Sequence, residues 1–309
     1  MHVLVTGGAG FIGSHFVRTV LDKLTYAGGL GNLGPVAENE RLDFVPGDVT
    51  DAALVDVVAR GHDAIVHFAA ETNVDRSIAA AAEFAAANVV GTQVLLDAAL
   101  RHGIARFLHV STDEVYGSIF TGAWTERSPV APTSPYAASK AGADLVALAF
   151  HRTHGLPVVV TRGASTYGPY QHPEKLIPRF VTDLLRGRTV PLPGDGSQVR
   201  HWLHAADHCR GVALALTEGR PGAVYHIGGT AELTDRDLTG RLLKLCGADW
   251  DAVTTVADRK GHDFRYALDD EKIRRDLGYR HTVEFDAGLA ETVRWYRDNE
   301  EWWRSRVID

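Results

Sequence analysis

The sequence predicts an α/β protein, a doubly wound parallel sheet with a smaller, mostly C-terminal lobe. Three observations point there. Short apolar runs alternate with long alanine-rich stretches of helical character. The apolar runs end in small or polar residues, as strands do at the carboxyl edge of a parallel sheet. The first run also opens straight into a glycine-rich turn, Gly7-Gly8-Ala9-Gly10-Phe11-Ile12-Gly13.

Residues 2–6 are apolar enough to be a strand buried on both faces. Gly7, Gly10 and Gly13 then supply a tight turn and close backbone approach, with Phe11 and Ile12 opening a helix whose N–H groups suit a pyrophosphate. Such a loop also occurs as a plain turn; its place directly after a strand favours a dinucleotide site. Asp22 stands where the adenosine ribose hydroxyls would lie, and its charge would repel a 2′-phosphate, which selects NAD over NADP. Its alternative is a solvated turn carboxylate. Only nine residues separate Gly13 from Asp22, against roughly 20 in the dinucleotide fingerprint. Either the first helix is severely shortened or a segment near 19–21 is missing from the numbered chain; we expect the second.

Residues 42–45 lead to Asp48-Val49, residues 64–68 to Ala69-Ala70-Glu71, and residues 107–110 to Ser111-Thr112. Asp48 is placed to bond an adenine amino group with Val49 packed on the ring, or else to cap a helix starting near Asp51. Phe68, Ala69 and Ala70 fall at a strand end against the cofactor. Glu71 and Thr72 line a nicotinamide or sugar pocket, or form a local turn. His67, among apolar strand residues, is expected as a satisfied core histidine. Tyr116 is either a site wall or core, and Trp302-Trp303 is expected to pack a helix. The stretches 78–102 and 134–154 are long amphipathic helix candidates.

At 309 residues the chain can bury a full core, and 45% hydrophobic with 23% charged residues is the balance of an ordinary folded enzyme. A net charge of −7 without basic runs argues against nucleic acid. Cys209 and Cys246 are too few for a disulfide framework or a zinc site, which points to a reducing, cytoplasmic setting and no metal. No apolar run approaches membrane-spanning length, and a strand at residue 2 leaves no room for a signal peptide.

The chemistry concentrates in two motifs. Tyr136 and Lys140, four residues apart, share a helix face, where the ammonium would lower the phenol's pKa towards neutrality so that it accepts a proton from a hydroxyl. Thr112-Asp113-Glu114 adds two adjacent carboxylates, one able to donate a proton and the other to accept one if their environments push their pKa values apart. Alone, that pair would more often open a helix, and Thr112 would be a strand-end hydroxyl. Alcohol oxidation needs the first motif; elimination of water needs both.

The glycine loop, Asp22-Lys23-Leu24-Thr25-Tyr26-Ala27-Gly28, His67-Phe68-Ala69-Ala70-Glu71, Ser111-Thr112-Asp113-Glu114-Val115-Tyr116-Gly117 and Ser134-Pro135-Tyr136-Ala137-Ala138-Ser139-Lys140 occur in one order. Together they resemble the extended short-chain dehydrogenase/reductases of Rossmann fold, and among them the dTDP-glucose 4,6-dehydratases. Tyr167-Gly168-Pro169-Tyr170, Pro173-Glu174-Lys175-Leu176-Ile177-Pro178 and Asp258-Arg259-Lys260-Gly261-His262-Asp263 fit the same family, so the resemblance spans nearly the whole chain. It implies an NAD site that includes Lys23, Thr25, Gly28, Tyr136 and Lys140. It also implies a redox-neutral cycle on a nucleotide-activated hexose. Tyr136, with Thr112 and Lys140, takes the C4 hydroxyl proton while the C4 hydride passes to NAD. Glu114 takes the C5 proton, Asp113 protonates the departing C6 hydroxyl, the hydride returns to C6, and a proton is restored at C5.

Lys175, Arg200, Arg259 and His262 are the resemblance's cationic candidates for the diphosphate, with Leu176 beside them; Arg clamps phosphate by a fork and Lys as a point charge. Three departures fall where substrate is expected: Ser165-Thr166 for an Asn-Asn pair, His201 for an acidic residue and His226 for Asn. They imply an altered preference for sugar, base or leaving group. The expected division is 1–162 with about 200–225 for NAD, and 163–199 with 226–309 for the sugar nucleotide. The two long helices are expected to pair with their copies in a homodimer. The competing functions are a 4-epimerase or decarboxylase of the same fold, which would not need Asp113-Glu114, and an NAD-sensing module without chemistry, which would not need Tyr136, Lys140 and Thr112 together.

Overall fold

The computed structural model describes residues 1–16, 19–26, 28–258 and 261–307. In chain order the first half comprises β1 (Val3–Thr6), α1 (Phe11–Ser14), β2 (Thr19–Asp22), β3 (Asp43–Pro46), α2 (Ala52–Ala59), β4 (Ala64–His67) and α3 (Val74–Ala79). A continuous helical stretch follows, made of α4 (Ala81–Phe84), a π-helical turn (Ala85–Val90) and α5 (Gly91–Arg101); then come β5 (Arg106–Thr112), α6 (Pro135–His154) and β6 (Val158–Gly163). The second half holds β7 (Ser165–Tyr167), α7 (Leu176–Leu185), β8 (Val190–Pro193), β9 (Val199–His204), α8 (Ala205–Glu218), β10 (Val224–Ile227), β11 (Ala231–Thr234) and α9 (Asp235–Cys246). It closes with β12 (Val253–Val256), α10 (Glu271–Leu277), α11 (Phe285–Asp298) and α12 (Glu300–Arg304).

Among the described residues the main sheet has seven strands in the order β10-β6-β5-β4-β1-β2-β3, every neighbouring pair parallel. Its period-two pattern sorts side chains between two cores. Val3 and Val5 of β1, Val66 of β4 and Leu108 of β5 face one side, under Val212 and Leu216 of α8. Leu4, Ile65 and Phe107 face the other, against Val55 of α2, Leu95 of α5 and Ala147 of α6. Burying each such large apolar side chain stabilises the fold by roughly 1.5–3 kcal/mol, so continuous apolar runs make central strands here.

In this chain the short interval before Asp22 holds a shortened first helix, with residues 17 and 18 outside the described residues. α1 is four residues long, and β2 pairs with β1 from Leu4–Thr19 to Thr6–Leu21. The uncovered ground is taken by α8, whose Cys209 thiol donates to the Ile12 carbonyl, and by Phe16 packed on Phe68 with ring centroids 5.6 Å apart.

A smaller lobe pairs β11, β9 and β7 in one sheet and β12 with β8 in another. Its core joins α7, α9 and α11 around Phe180, Leu242 and Leu289. Trp303 packs there as expected. α8 and β10 return to the main sheet, whereas β9 pairs within the lobe.

Candidate active site

The main cleft opens at the carboxyl edge of the parallel strands, with a volume of about 370 Å³. Gly7 adopts φ +69°, and a Cβ on it would meet the Ala69 nitrogen at 2.5 Å; one on Gly13 would meet the Gly7 carbonyl oxygen at 2.2 Å. Only glycine allows β1, α1 and the end of β4 to close this tightly. No side chain caps the start of α1, so its N–H groups face the cleft lined by Gly7, Gly10, Phe11, Ile12 and Gly13. The cradle fits the pyrophosphate of a dinucleotide.

Asp22 is buried and holds this loop. The Ala9 amide donates to its Oδ2 at 2.9 Å and the Leu24 amide to its Oδ1 at 2.8 Å. Burial raises its pKa against those two amides, so the solvated-turn alternative is corrected. Lys23, Thr25, Gly28, Asp48 and Val49 line the same end. Lys23 donates to Asp48 Oδ2 at 3.1 Å. Asp48 Oδ1 accepts from the Thr50 amide, while Asp51 caps α2; Asp48 is therefore not the helix cap. Phe68, Ala69, Ala70, Glu71 and Thr72 form the adjoining wall.

At the other end stand Thr112, Asp113, Glu114, Tyr136 and Lys140. The local sequence explains their placement. Ser134 caps α6 by accepting from the Ala137 amide, Pro135 occupies the first turn, and Gly155 ends the helix at φ 70°. Tyr136 and Lys140 thus sit in the first two turns of a firmly started helix. Thr112 caps the turn after β5, its hydroxyl donating to Asp113 Oδ1 at 3.1 Å.

The electrostatics are those of a dry site. Burial, then the charge of Glu114, pushes Asp113 up to about 7, with Thr112 and Arg200 opposing. Burial brings Lys140 down to about 8, with Asp144 opposing; its ammonium donates to the Val110 carbonyl at 2.8 Å. Burial, then Glu114, holds the Tyr136 phenol well above its ordinary value, with a Thr112 hydrogen bond working the other way. In the protein alone the phenol moves the opposite way from the expected shift towards neutrality, because burial dominates and Glu114 adds to it.

Of the expected substrate residues, Thr72, Ser165, Lys175 and Leu176 line the cleft. Lys175 already donates to the Thr72 carbonyl at 2.8 Å. Arg200 lies outside the lining, its guanidinium bonded to the carbonyls of Val199 and Asp263 and stacked on Tyr266. From there its charge reaches Asp113, so it serves the acid pair from behind. His226 is fully buried between Tyr116 Oη at 2.6 Å and the Asp269 carbonyl at 2.9 Å, which places it in core and removes it from the substrate set. His262 is bonded to Asp258 at 2.6 Å and does not line the cleft. Arg259 lies outside the described residues. His201 packs on the Gly229 amide, away from the lining; of the three departures, only Ser165-Thr166 faces the cleft. His67 is the core histidine expected, bonded to Thr6 and Thr92, and Tyr116 is core.

Several functional residues escaped the sequence reading. Asn88, in the π-helical turn, accepts from the Glu71 amide and donates to the Glu71 carbonyl and to Ser139, tying the cleft wall to α6; a π turn often marks such a position. Glu174 accepts from Tyr26 and Asn73 across the cleft mouth. His208, neutral because burial pushes it down to about 4, bonds Thr166 and lines the floor. Asn32 donates to the Ala9 carbonyl at 2.8 Å and accepts from Trp302 at 3.0 Å, so the C-terminal helix steadies the glycine loop.

Comparison with known proteins agrees with this geometry. The family model described as GDP-mannose 4,6 dehydratase matches residues 4–292. A protein named dTDP-glucose 4,6-dehydratase from Streptomyces niveus is 60% identical, over 98% of this chain and 95% of its own length. One of the same name from Streptomyces antibioticus is 59% identical, over 98% and 94%. The crystal structure of DesIV, a dTDP-glucose 4,6-dehydratase from Streptomyces venezuelae with NAD and TYD bound, superposes with a TM-score of 0.98 at 61% identity, covering 99% of this chain and all of that one. The carboxylate pair and the Tyr–Lys pair in one cleft are what such a family requires, and the chain belongs to the GDP-mannose 4,6 dehydratase family, among its dTDP-glucose 4,6-dehydratases.

Proposed function

We propose that this cleft carries out the NAD-dependent, redox-neutral 4,6-dehydration of a nucleotide-activated hexose, converting dTDP-glucose to its 4-keto-6-deoxy product. The enzyme is a hydro-lyase. The observation that carries the assignment is Asp113 beside Glu114 in the cleft of Tyr136 and Lys140, with Asp113 held near neutrality. A 4-epimerase or a decarboxylase has no use for an acid poised at C6, and an NAD sensor has no use for either pair.

NAD, when bound, takes a hydride from C4 and gives one back at C6. The glycine cradle, Asp22, Lys23, Thr25, Gly28, Asp48 and Val49 would hold it. Tyr136 removes the C4 hydroxyl proton. In the chain alone, burial and the carboxylates of Glu114, Asp113 and Asp144 keep the phenol protonated, so proton removal depends on Lys140 being charged and on Thr112. Once C4 is a ketone the C5 proton is acidic. Glu114 takes it, Asp113 gives its own proton to the C6 hydroxyl, which leaves as water, and a proton is restored at C5 as the hydride comes back to C6. The pKa separation the step requires follows from environment: Asp113 is fully buried, while Glu114 is half-exposed. Lys175 and Ser165 are placed to meet the substrate, and Arg200 acts on it through Asp113.

A division into an NAD part, 1–162 with about 200–225, and a sugar-nucleotide part, 163–199 with 226–309, accompanies this assignment. The pairing of β9 within the lobe and of β10 with β6 moves its inner limits to about 205 and 227. Exposed Val90, Leu100 and Leu145 on the two long helical stretches support a homodimer through them. Two free cysteines suit a cytoplasmic setting; among the described residues no helix is long and apolar enough to cross a membrane.

The test is mass spectrometry of dTDP-glucose incubated with the protein and catalytic NAD. Loss of one water without accumulation of reduced cofactor is the expected result. An unchanged mass with NAD bound would remove dTDP-glucose as the substrate.

A further inference from the structure

Lys140 has an unusual environment for a buried cation. Its Nζ donates to a neutral carbonyl, Val110, and Asp144, one helical turn further along α6, is the anion that favours its charge. Asp144 has no exposed surface. Its Oδ2 accepts from Arg162 Nε at 2.9 Å, and its Oδ1 lies 3.3 Å from His109 Nε2. Arg162, on β6, is itself buried and reaches on to the Tyr116 hydroxyl. None of this is needed to build the helix, and a buried Asp–Arg pair contributes little stability over an apolar pair of the same volume.

We propose that Asp144 is a positioning residue for the reaction, the fixed buried anion one helical turn from Lys140 that keeps it charged, with Arg162 as the counterweight that limits its field. The inference rests on the dehydratase reading, in which proton removal by Tyr136 depends on a charged Lys140. The groups around Lys140 leave this work to Asp144. His67 on β4 and His109 on β5 are neutral, kept so by burial. On the turn after β5, Asp113 is pushed towards its protonated form, and Glu114 acts on Tyr136 and Asp113. Tyr136, on the same helix, is protonated in the chain alone, and Asp144 adds a smaller push in that direction, so its help to the reaction comes through Lys140 and not through the phenol. Asp144 remains ionised: burial opposes its charge, but His109 and Arg162 more than offset that. Spaced i and i+4, Lys140 and Asp144 present opposite charges on one face of α6.

The chain has six lysines, so the protonation of Lys140 is readable directly by NMR of NAD-loaded protein labelled at lysine Cε, with K140M identifying the signal. D144N removes the anion and leaves Arg162 uncompensated. Both changes lower the Lys140 inflection, by about one pH unit or more. The double variant D144N/R162M removes the stranded cation, and the inflection recovers part of the way. The alkaline limb of kcat moves with it: earlier in D144N, and back towards wild type in the double variant, although the double variant disturbs packing more. An inflection unmoved in D144N, or one moved further from wild type in the double variant, would overturn the proposal. Because the NMR titration needs no turnover, its expected shifts with no reaction on any sugar nucleotide would overturn the dehydratase reading alone. Turnover with an unmoved Lys140 would overturn this proposal alone.

Discussion

Replacing Asp113 by Asn should separate the two halves of the reaction. The substitution keeps the side chain's shape and its bond to Thr112 but removes the proton that leaves with the C6 hydroxyl. With its pKa near 7, the wild-type carboxyl is about half protonated at pH 7 and about one-tenth at pH 8, so the elimination step should slow roughly fivefold over that unit. The sign follows from the shift: burial raises the acid, so its donor form is lost as pH rises through about 7. In D113N the elimination should fall by roughly 10²–10⁴ at every pH, the usual worth of a positioned acid, and its alkaline limb should disappear. Oxidation at C4 should persist, so a single turnover should leave reduced cofactor absorbance that decays slowly. Stability gives a second reading. Because the folded value lies above that of the free carboxyl, Asp113 contributes stability that is lost as pH rises towards the folded pKa. Between pH 6 and pH 8 the loss is on the order of 1 kcal/mol, so D113N should gain about that much on wild type across the interval in urea titrations. Elimination at the wild-type rate, or an equal loss of C4 oxidation, would refute the acid role.

Other substitutions probe the remaining parts. Tyr136→Phe should abolish C4 oxidation, by roughly 10²-fold or more, while the protein still retains NAD through gel filtration; loss of NAD would mean that the phenol chiefly binds the cofactor. Asp22→Ala strips the Ala9 and Leu24 amides of a buried acceptor, each such charge-assisted bond being worth about 1.5–3 kcal/mol. It should release NAD on dialysis and lower Tm, and unchanged NAD content would show that Asp22 only shapes its turn. Gly13→Ala forces a Cβ onto the Gly7 carbonyl and should cost about 1–3 kcal/mol by overpacking, read as a lower urea midpoint. Asn88→Ala leaves the Glu71 amide and carbonyl unpaired at about 1–3 kcal/mol and should raise KM for the sugar nucleotide more than it lowers kcat.

The fold was legible because its signals are periodic or obligatory. Central strands must bury both faces, so they read as unbroken apolar runs. The glycines of the first turn are dictated by backbone approach, and Ser134-Pro135 before Tyr136 announces a helix start. The interval from Gly13 to Asp22 is the place in the main sheet where spacing and fold pull apart. α1 has only four residues, and it is α8, remote in sequence, that meets it through Cys209 and the Ile12 carbonyl, a contact no local pattern encodes.

The site divides along the same physical line. Residues set by short-range geometry, the glycines with Asp22, Thr112 to Glu114, and Tyr136 with Lys140, sit together as their spacing required. Cations in the second lobe were chosen from charge and motif context, and neither says which partner a side chain finds. Arg200 turned to backbone carbonyls and an aromatic ring, His262 to Asp258, and His226 to Tyr116 in the core. Protonation states were the least legible of all. Pairing Tyr136 with Lys140 in sequence suggests a lowered phenol, yet with both buried and carboxylates near, desolvation decides the sign. The same burial that makes Tyr136 a reluctant base makes Asp113 a ready acid at neutral pH. A single dry cavity therefore sets both halves of the chemistry, and flooding it should ease proton removal by Tyr136 while weakening Asp113 as an acid. Enlarging the wall at Ala87, which lines the cleft beneath the helical turn that holds Asn88, tests the opposite direction. Ala87→Leu should narrow the cleft and lower kcat/KM for the sugar nucleotide, leaving the pH at which Asp113 titrates unchanged.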